Sequence, residues 1–517
     1  MISGYPFNPY DWTTLSPLFQ ALLEAPIADD GFMGWLEAWN QLDIAVWDAY
    51  TQLKRPAYYD TSDQAADQAY RTYVQHLQST YVGLTDALIG RALSVQPEPP
   101  GEEYKQLWLR WHNQRELFHP ANLPILAEIS PLDSRYREIM NQCDANDPAN
   151  YWLAQREKIN ALMVRLLHLR RKLAENSGLP NFLHYRWREM NRLGYSIAEC
   201  QDFHRAVEQW VVPIVAKFRA EDTSDHPSPE IEDLDLLVNG SERCLQQIDP
   251  QFGKVFRAMR AAGHLDLGSR PNKANAVEEW FFPHAGLPHL QIVTFNAGSV
   301  FHESGHGMHD YLSFQTHSSI WNLNGPEEFQ EFAATSMDLL AWPYYRQAQG
   351  GPYTDEQSIA ARKHVLHYYL SALTDCTMQD AFEHWLYGEA PTDVTPADLD
   401  AKWIEFRQRF TPWKNCEPTA AEAQTGWQRW NWSLFRMPLY LISYPMAVVG
   451  ACQFTKRLEK ERAKAIYDYK AALMLGNTRS LPELFAAVGV IFPFSQQTVE
   501  DAVQFIIKEF SQQNNEV

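Results

Sequence analysis

The chain has 517 residues, of which 45% are hydrophobic, 13% aromatic and 21% charged, a composition typical of folded globular proteins and not of disordered chains. Its 44 basic and 64 acidic residues give a formal net charge of −20, and no Lys/Arg cluster stands out, which argues against nucleic acid or membrane surfaces as partners. The longest apolar stretches fall short of the roughly 18–20 residues that a bilayer-spanning helix requires.

The cysteines and the amino terminus both favour a cytoplasmic protein. The segment MISGYPFNPYDW lacks the basic and apolar regions of an export signal. The six cysteines are spread singly, without a CxxC pair, as expected for thiols kept reduced, and we interpret all of them as packing residues. They are Cys143, Cys200, Cys244, Cys376, Cys416 and Cys452.

Helical periodicity dominates the chain. Apolar residues recur at spacings of three and four from Leu162 to Leu173 and again from Phe203 to Ile214, which predicts amphipathic helices. Only the stretch from Trp280 to Phe295 is rich in aromatic and β-branched residues and reads as extended structure. We therefore predict a mainly α protein with a small β-sheet, divided into an amino-terminal helical region over 1–180 and a larger region over 181–517.

The sequence His302-Glu303-Ser304-Gly305-His306 is an HExxH motif that follows this extended stretch directly. Residues four apart project from the same face of a helix, so His302 and His306 can bind one metal ion with Glu303 beside the open coordination position. Ser299 is predicted to cap this helix, and Gly305 to leave room close to the ion.

A catalytic zinc site needs a third protein ligand. In the metzincin pattern a glycine at 309 and a histidine at 312 would follow, but His309 and Leu312 stand there and exclude that class. The other route is a glutamate on a second helix.

The segment 324–343 provides that second helix. Pro326 stands in its first turn, and its apolar residues follow helical spacing. Glu331, 25 residues after His306, lies beside the apolar face and is predicted as the third ligand. Asp338, two turns later, is placed to hydrogen-bond a ligand histidine. Glu327 and Glu328 are predicted to complement the helix dipole.

Two blocks of sequence give the motif a specific context. The block VFHESGHGMHDY, followed by PEEFQEFAATSMDLL, resembles the thimet oligopeptidase and oligoendopeptidase F family of zinc metallopeptidases. The segments 175–213 and 435–453 are similar to the oligoendopeptidase F branch, so the resemblance covers roughly residues 175 to 455. It implies a large helical fold in which a deep channel, walled partly by residues 1–180, encloses one Zn²⁺ ion and admits short peptides.

The resemblance also implies roles for individual residues. His302, His306 and Glu331 match the zinc ligands, and Glu303 matches the general base. Tyr440 and Tyr444 match the tyrosines that stabilise the oxyanion, and they can share one face if their segment is helical. His309 matches a position that supports or lines the channel, although a structural role is an alternative.

Three departures from the family pattern bear on activity. Ser433 stands near the place where relatives often have a histidine, and Pro445 replaces a glycine after the second tyrosine. The segment between Gly298 and His302 is also shorter than the family pattern. These changes affect transition-state stabilisation and substrate register, but they remove neither a predicted ligand nor the base.

Two alternatives remain open. A zinc carboxypeptidase similar to the carboxypeptidase Taq family also uses HExxH and a downstream glutamate. A peptide-binding protein with weakened turnover is the non-catalytic alternative. The sequence does not indicate the oligomeric state.

Overall fold

The computed structural model describes residues 5–27, 31–143, 147–317, 319–414, 420–492 and 495–515. Helices dominate it, and a single three-stranded sheet lies in the middle of the described chain, as predicted. Among the described helices, none is both long and apolar enough to span a bilayer. No disulfide joins the five described cysteines, and Cys416 lies outside the described residues.

Seven α-helices lie in the first part of the chain that the structure describes. These are α1 (Trp12–Glu24), α2 (Phe32–Tyr59), α3 (Gln64–His76), α4 (Val82–Val95), α5 (Lys105–Leu117), α6 (Leu123–Asn141) and α7 (Pro148–Asn176). Tryptophans hold α2 against α5, since the rings of Trp39 and Trp111 stack with centroids 5.0 Å apart. Trp321, from the second half of the chain, packs edge-on against Trp39 and thereby joins this core to the rest of the molecule.

Five further α-helices of the described chain precede the sheet. They are α8 (Phe182–Glu189), α9 (Ile197–Ala206), α10 (Val212–Glu221), α11 (Leu234–Ile248) and α12 (Pro250–Ala261). The predicted helix over 203–214 is therefore confirmed, but a single π-helical turn over Val207–Val211 separates α9 from α10.

The sheet consists of β1 (Leu265–Leu267), β2 (Val277–Phe282) and β3 (Leu287–Ile292) in the order β1-β3-β2. β2 and β3 form an antiparallel hairpin in which Trp280 pairs with His289. Gly286 closes the hairpin turn with a φ of +61°, a conformation that suits glycine. β1 joins β3 in parallel and was not predicted from the sequence. β2 is left at the edge of the sheet.

The remaining chain is helical again. Its helices are α13 (Ala297–His317), α14 (Glu327–Ala341), α15 (Asp355–Ser371), α16 (Thr377–Gly388), α17 (Pro396–Phe410), α18 (Ala420–Trp430), α19 (Ser433–Arg436), α20 (Ser443–Leu473), α21 (Leu481–Val488) and α22 (Gln496–Asn515). α14 packs between α13 and α20 and is buried without interruption from Glu331 to Ala341. It is thus the central helix of the molecule.

Candidate metal centre and active site

The HExxH motif lies in the first half of α13. The helix begins at Ala297, and the side chain of Asn296 accepts a hydrogen bond from the backbone of Ser299 at 2.8 Å. Asn296, not Ser299, therefore caps the helix, which corrects the prediction. His302, Glu303 and His306 follow within the first three turns and line a common cavity.

α13 and α14 cross at Gly305. A Cβ atom placed on Gly305 would lie only 2.5 Å from the Cα of Ala334 in α14. The space that this glycine leaves is therefore occupied by the backbone of the neighbouring helix and not, as expected, reserved for an ion. The close approach brings the motif and α14 together.

The crossing places Glu331 opposite the two histidines. Glu331 Oε2 lies 3.5 Å from His302 Nε2 and 4.0 Å from His306 Nε2. The donor atoms of all three residues fall within 4.8 Å of one another. On the other side of the ring, His302 Nδ1 lies 3.3 Å from Asp338 Oδ2, a contact that fixes the orientation of the imidazole.

These three side chains fit a divalent cation. Glu331 is 3% exposed, and its Oε2 atom has no hydrogen-bond partner among the described residues. A buried carboxylate oxygen without a partner is costly, and a cation bound by it and the two imidazoles would satisfy it. Two imidazoles and one carboxylate are the donor set of a catalytic zinc site, with the fourth position left to water or substrate.

Burial and neighbouring groups shift the pKa values of the side chains that line the cavity. Burial raises the pKa of Glu303 to about 8 and that of Asp310 also to about 8. Burial lowers the pKa of His306 to about 4, so this ring is neutral near pH 7, as metal binding requires. Burial opposes ionisation of Glu331, but the adjacent His302 and the hydrogen bond from Tyr440 outweigh it and lower the pKa of Glu331.

The two tyrosines reach the same place from the start of α20. Tyr440 precedes the helix and Tyr444 lies in its first turn, so the expected shared helical face is absent, yet their rings contact each other with centroids 5.5 Å apart. The hydroxyl of Tyr440 donates a hydrogen bond to Glu331 Oε1 at 2.5 Å. Both tyrosines line the cavity.

The loop that carries Tyr440 is anchored by a buried carboxylate. Glu383 of α16 accepts hydrogen bonds from the hydroxyl of Ser433 and from the backbone of Leu439, each at 2.5 Å. Ser433 therefore holds the loop from behind. Pro445 is the third residue of α20, where its missing N–H costs no helical hydrogen bond. Neither substitution displaces the tyrosines from the cavity.

His309 lies away from the cavity. Its ring is fully buried, packs edge-on against Phe329 and has no hydrogen-bond partner among the described residues. Burial lowers its pKa to about 3, which keeps it neutral. The structure thus places it in the packing between α13 and α14 and not in the cavity wall.

Glu328, in the first turn of α14, forms an ion pair in addition to its predicted role of complementing the helix dipole. Glu328 is buried and accepts hydrogen bonds from Arg192 Nε at 2.7 Å and from the hydroxyl of Tyr195 at 2.5 Å. This ion pair holds the start of α14, one turn before Glu331, against the segment that precedes α9.

The cavity has a volume of about 310 Å³ and lies between the motif, the edge strand β2 and helix α2. α2 contributes Trp47, Tyr50, Thr51 and Lys54, which sequence reasoning missed because they lie about 250 residues upstream of the motif and carry no pattern of their own. Lys54 forms an ion pair with Glu278 of β2 at 2.7 Å. Two further acids, Glu279 and Asp310, also line the wall.

Part of the sequence matches a known peptidase family, and the fold matches solved structures. Residues 295–504 match the model of peptidase family M3. Pz peptidase A, solved with an inhibitor, superposes with a TM-score of 0.89 at 19% identity over 100% of both chains. A Bacillus anthracis protein assigned as an oligoendopeptidase F superposes with a TM-score of 0.84 at 16% identity, covering 99% of this chain and 98% of its own.

A carboxypeptidase shares the fold less closely. The Pyrococcus furiosus carboxypeptidase gives a TM-score of 0.61 at 12% identity, covering 94% of this chain and 100% of its own. At these identities the structural likenesses establish the fold alone. No protein of curated function matches the sequence.

Proposed function

We propose that the chain is a metallopeptidase of family M3, whose model matches residues 295–504, and that it acts as a zinc-dependent oligopeptidase that hydrolyses internal bonds of short, unstructured peptides. The observation that carries this proposal is the convergence of His302, His306 and Glu331 on one side of a cavity that also contains Glu303. The proposal places the enzyme in the cytoplasm, with short peptides as substrates and without nucleic acid or membrane partners.

His302, His306 and Glu331 would hold the zinc ion. When bound, zinc polarises the scissile carbonyl and makes water a stronger nucleophile at neutral pH. Asp338 accepts the Nδ1 proton of His302 and so keeps Nε2 free to face Glu331 and His306.

Glu303 is the group that moves the proton. Its carboxylate takes a proton from the attacking water and later delivers it to the leaving amine. A group serves both steps best when its pKa lies near the working pH, and burial shifts the pKa of Glu303 upward from its ordinary value toward that range.

Tyr440 and Tyr444 are placed to stabilise the developing oxyanion. Both hydroxyls lie at the cavity, and the loop before α20 is fixed by Glu383. In the structure the Tyr440 proton is directed at Glu331, so it has to turn toward the substrate when the carbonyl oxygen becomes negative.

The edge strand β2 supports an extended peptide as the proposed substrate. Residues 277–281 line the cavity, and one side of β2 has no neighbouring strand in the described sheet. An extended peptide can add to such an edge through backbone hydrogen bonds, which a folded protein cannot offer. The overlying helix α2 narrows the approach further.

The cavity also argues against the carboxypeptidase alternative. A carboxypeptidase must bind the free carboxylate of its substrate, usually through Arg or Lys. Among the described residues that line the cavity, Lys54 is the only Lys or Arg, and it already pairs with Glu278.

Cleavage of a blocked peptide tests the proposal. We expect the wild type to hydrolyse a peptide that is acetylated and amidated at its ends, as mapped by mass spectrometry. Glu303→Gln should retain zinc but lose activity by about 10²–10⁴-fold, the contribution typical of general acid–base catalysis. Glu356→Gln, an exposed change on α15, is the matched control and should behave as wild type.

Two results would contradict this proposal. Cleavage only of peptides with a free carboxyl terminus would instead establish an exopeptidase. Undiminished hydrolysis by Glu303→Gln would show that another group moves the proton.

A further inference from the structure

A second cluster of metal-binding side chains lies between α9 and α16. Cys200 and His204 are four residues apart on α9, and Asp380 and His384 are four residues apart on α16. Each pair therefore projects from one face of its helix, and the two faces meet. One donor atom from each of the four residues falls within 4.8 Å of the others.

The spacing of the donor atoms suits a tetrahedral ion. Cys200 Sγ lies 3.6 Å from His204 Nε2 and 3.7 Å from Asp380 Oδ2, and His384 Nε2 lies 3.3 Å from the same oxygen. Ligands of tetrahedral zinc are separated by roughly 3.3–3.8 Å, given bonds of about 2.0–2.3 Å. Only the 2.8 Å contact between His204 and Asp380 is shorter, and it has the length of a hydrogen bond.

Burial leaves part of this cluster unsatisfied. Cys200 and Asp380 are fully buried, His384 is 2% exposed and His204 is 6% exposed. Among the described residues, neither ring nitrogen of His384 has a hydrogen-bond partner, nor does Asp380 Oδ1. Buried polar atoms are nearly always paired, so these atoms point to a missing partner at the centre of the cluster.

The charges of the cluster balance those of a divalent cation. A Cys200 thiolate and the Asp380 carboxylate carry two negative charges, while the imidazoles of His204 and His384 bind metal in their neutral form. Burial lowers the pKa of His384 to about 3 and so keeps its ring neutral. The nearby Arg192 guanidinium is paired with Glu328, so its positive charge does not stand unopposed.

We propose that Cys200, His204, Asp380 and His384 bind a second zinc ion, which has a structural role. The site shares no residue with the His302–His306–Glu331 centre. Four protein ligands fill the tetrahedral coordination of zinc and leave no position for water or substrate, as is typical of structural zinc sites. Binding releases the Cys200 thiol proton to solvent.

The ion would hold α9 and α16 together, and α16 supports the loop that carries Tyr440. Asp380 and His384 flank Glu383 on α16, and Glu383 holds Ser433 and the backbone of Leu439, next to Tyr440. Fixing α16 against α9 thus fixes the support of the loop that carries Tyr440. The interpretation of Cys200 as a packing residue missed this, because C-x3-H and D-x3-H are weak signals until two helices 180 residues apart are brought together.

Cobalt substitution tests the second site directly. We expect wild-type protein to bind two zinc ions per chain, and its Co²⁺ form to show a thiolate-to-cobalt charge-transfer band. The His302–His306–Glu331 centre contains no sulfur and cannot give that band. His306→Ala should lose one ion but keep the band, whereas Cys200→Ala should lose one ion and the band.

Cys452→Ala is the matched control, since Cys452 is equally buried but lies in α20 outside the cluster. It should keep both ions and the band. A wild-type protein that binds at most one ion per chain and shows no thiolate band would overturn the proposal, whether or not the Cys200 variant folds. A band that survives in Cys200→Ala would also contradict it.

Discussion

At the scale of single residues, the hydrogen bond from Tyr440 to Glu331 is the contact that joins the loop before α20 to the metal centre. The Tyr440 hydroxyl lies 2.5 Å from Oε1 of Glu331, one of the proposed zinc ligands, and so next to the place where we propose that substrate binds. In the proposed mechanism, the Tyr440 hydroxyl breaks this hydrogen bond when it turns toward the substrate.

Replacing that hydroxyl should affect the rate more than binding. We expect Tyr440→Phe to lower kcat by about 10²–10³-fold, the loss typical of removing one oxyanion donor, with little change in KM. Steady-state kinetics on a blocked peptide measure this, with zinc content determined in parallel. Tyr467→Phe, at a position 72% exposed, serves as the control.

An unchanged kcat in Tyr440→Phe would exclude the hydroxyl from the chemistry. Loss of zinc together with activity would instead assign Tyr440 to holding Glu331 in place.

The sequence predicts some of these residues far better than others. The i, i+4 spacing of His302 and His306 determines that they share a helix face, and the apolar period of 324–343 places Glu331 and Asp338 on a neighbouring helix. The bond between Tyr440 and Glu331 spans 109 residues and depends on a loop in which Leu439 has a φ of +64°. No local sequence pattern predicts the conformation of that loop.

At the scale of secondary-structure elements, the crossing of α13 and α14 determines whether the ligands meet. Gly305 lies against the backbone of Ala334, so any side chain there must push the two helices apart. Separation would move Glu331 away from both histidines.

We expect Gly305→Ala to destabilise the protein by about 1–3 kcal/mol, the usual cost of overpacking, and to weaken zinc binding as well. Denaturant unfolding measures the first effect, and competition with a chelator measures the second. Gly83→Ala is the matched control, because Gly83 also lies in a helix but has open space around its Cα. It should be neutral or stabilising.

Unchanged stability and metal affinity in Gly305→Ala would show that the helices can relax at this crossing. The position of Glu331 opposite His302 and His306 would then not depend on the close contact at Gly305.

Element type is easier to predict here than element detail. The predicted small sheet is confirmed, because aromatic and β-branched residues concentrate there, but its strands cover Val277–Phe282 and Leu287–Ile292 instead of the whole stretch from Trp280 to Phe295. β1 was missed, since three residues are too few to show a period. The cap of α13 was assigned to Ser299, but Asn296 also has a suitable side chain and stands one residue before the helix start.

At the scale of the whole molecule, the cavity is built from parts that are distant in sequence. α2 from the first part of the chain covers a site whose remaining wall comes from β2, α13, α14 and the start of α20. The ion pair between Lys54 and Glu278 holds this cover to the edge strand. The division of the chain near residue 180 stays a prediction. Residues from before and after that point line the cavity.

Removal and return of zinc tests the central claim most directly. A chelator should abolish hydrolysis of a blocked peptide by the wild type, and added zinc should restore it. Glu331→Ala should bind one ion fewer than the wild type and remain inactive when zinc is added. Undiminished hydrolysis by the metal-free wild type, or full activity in Glu331→Ala, would contradict the assignment of His302, His306 and Glu331 as the centre of catalysis.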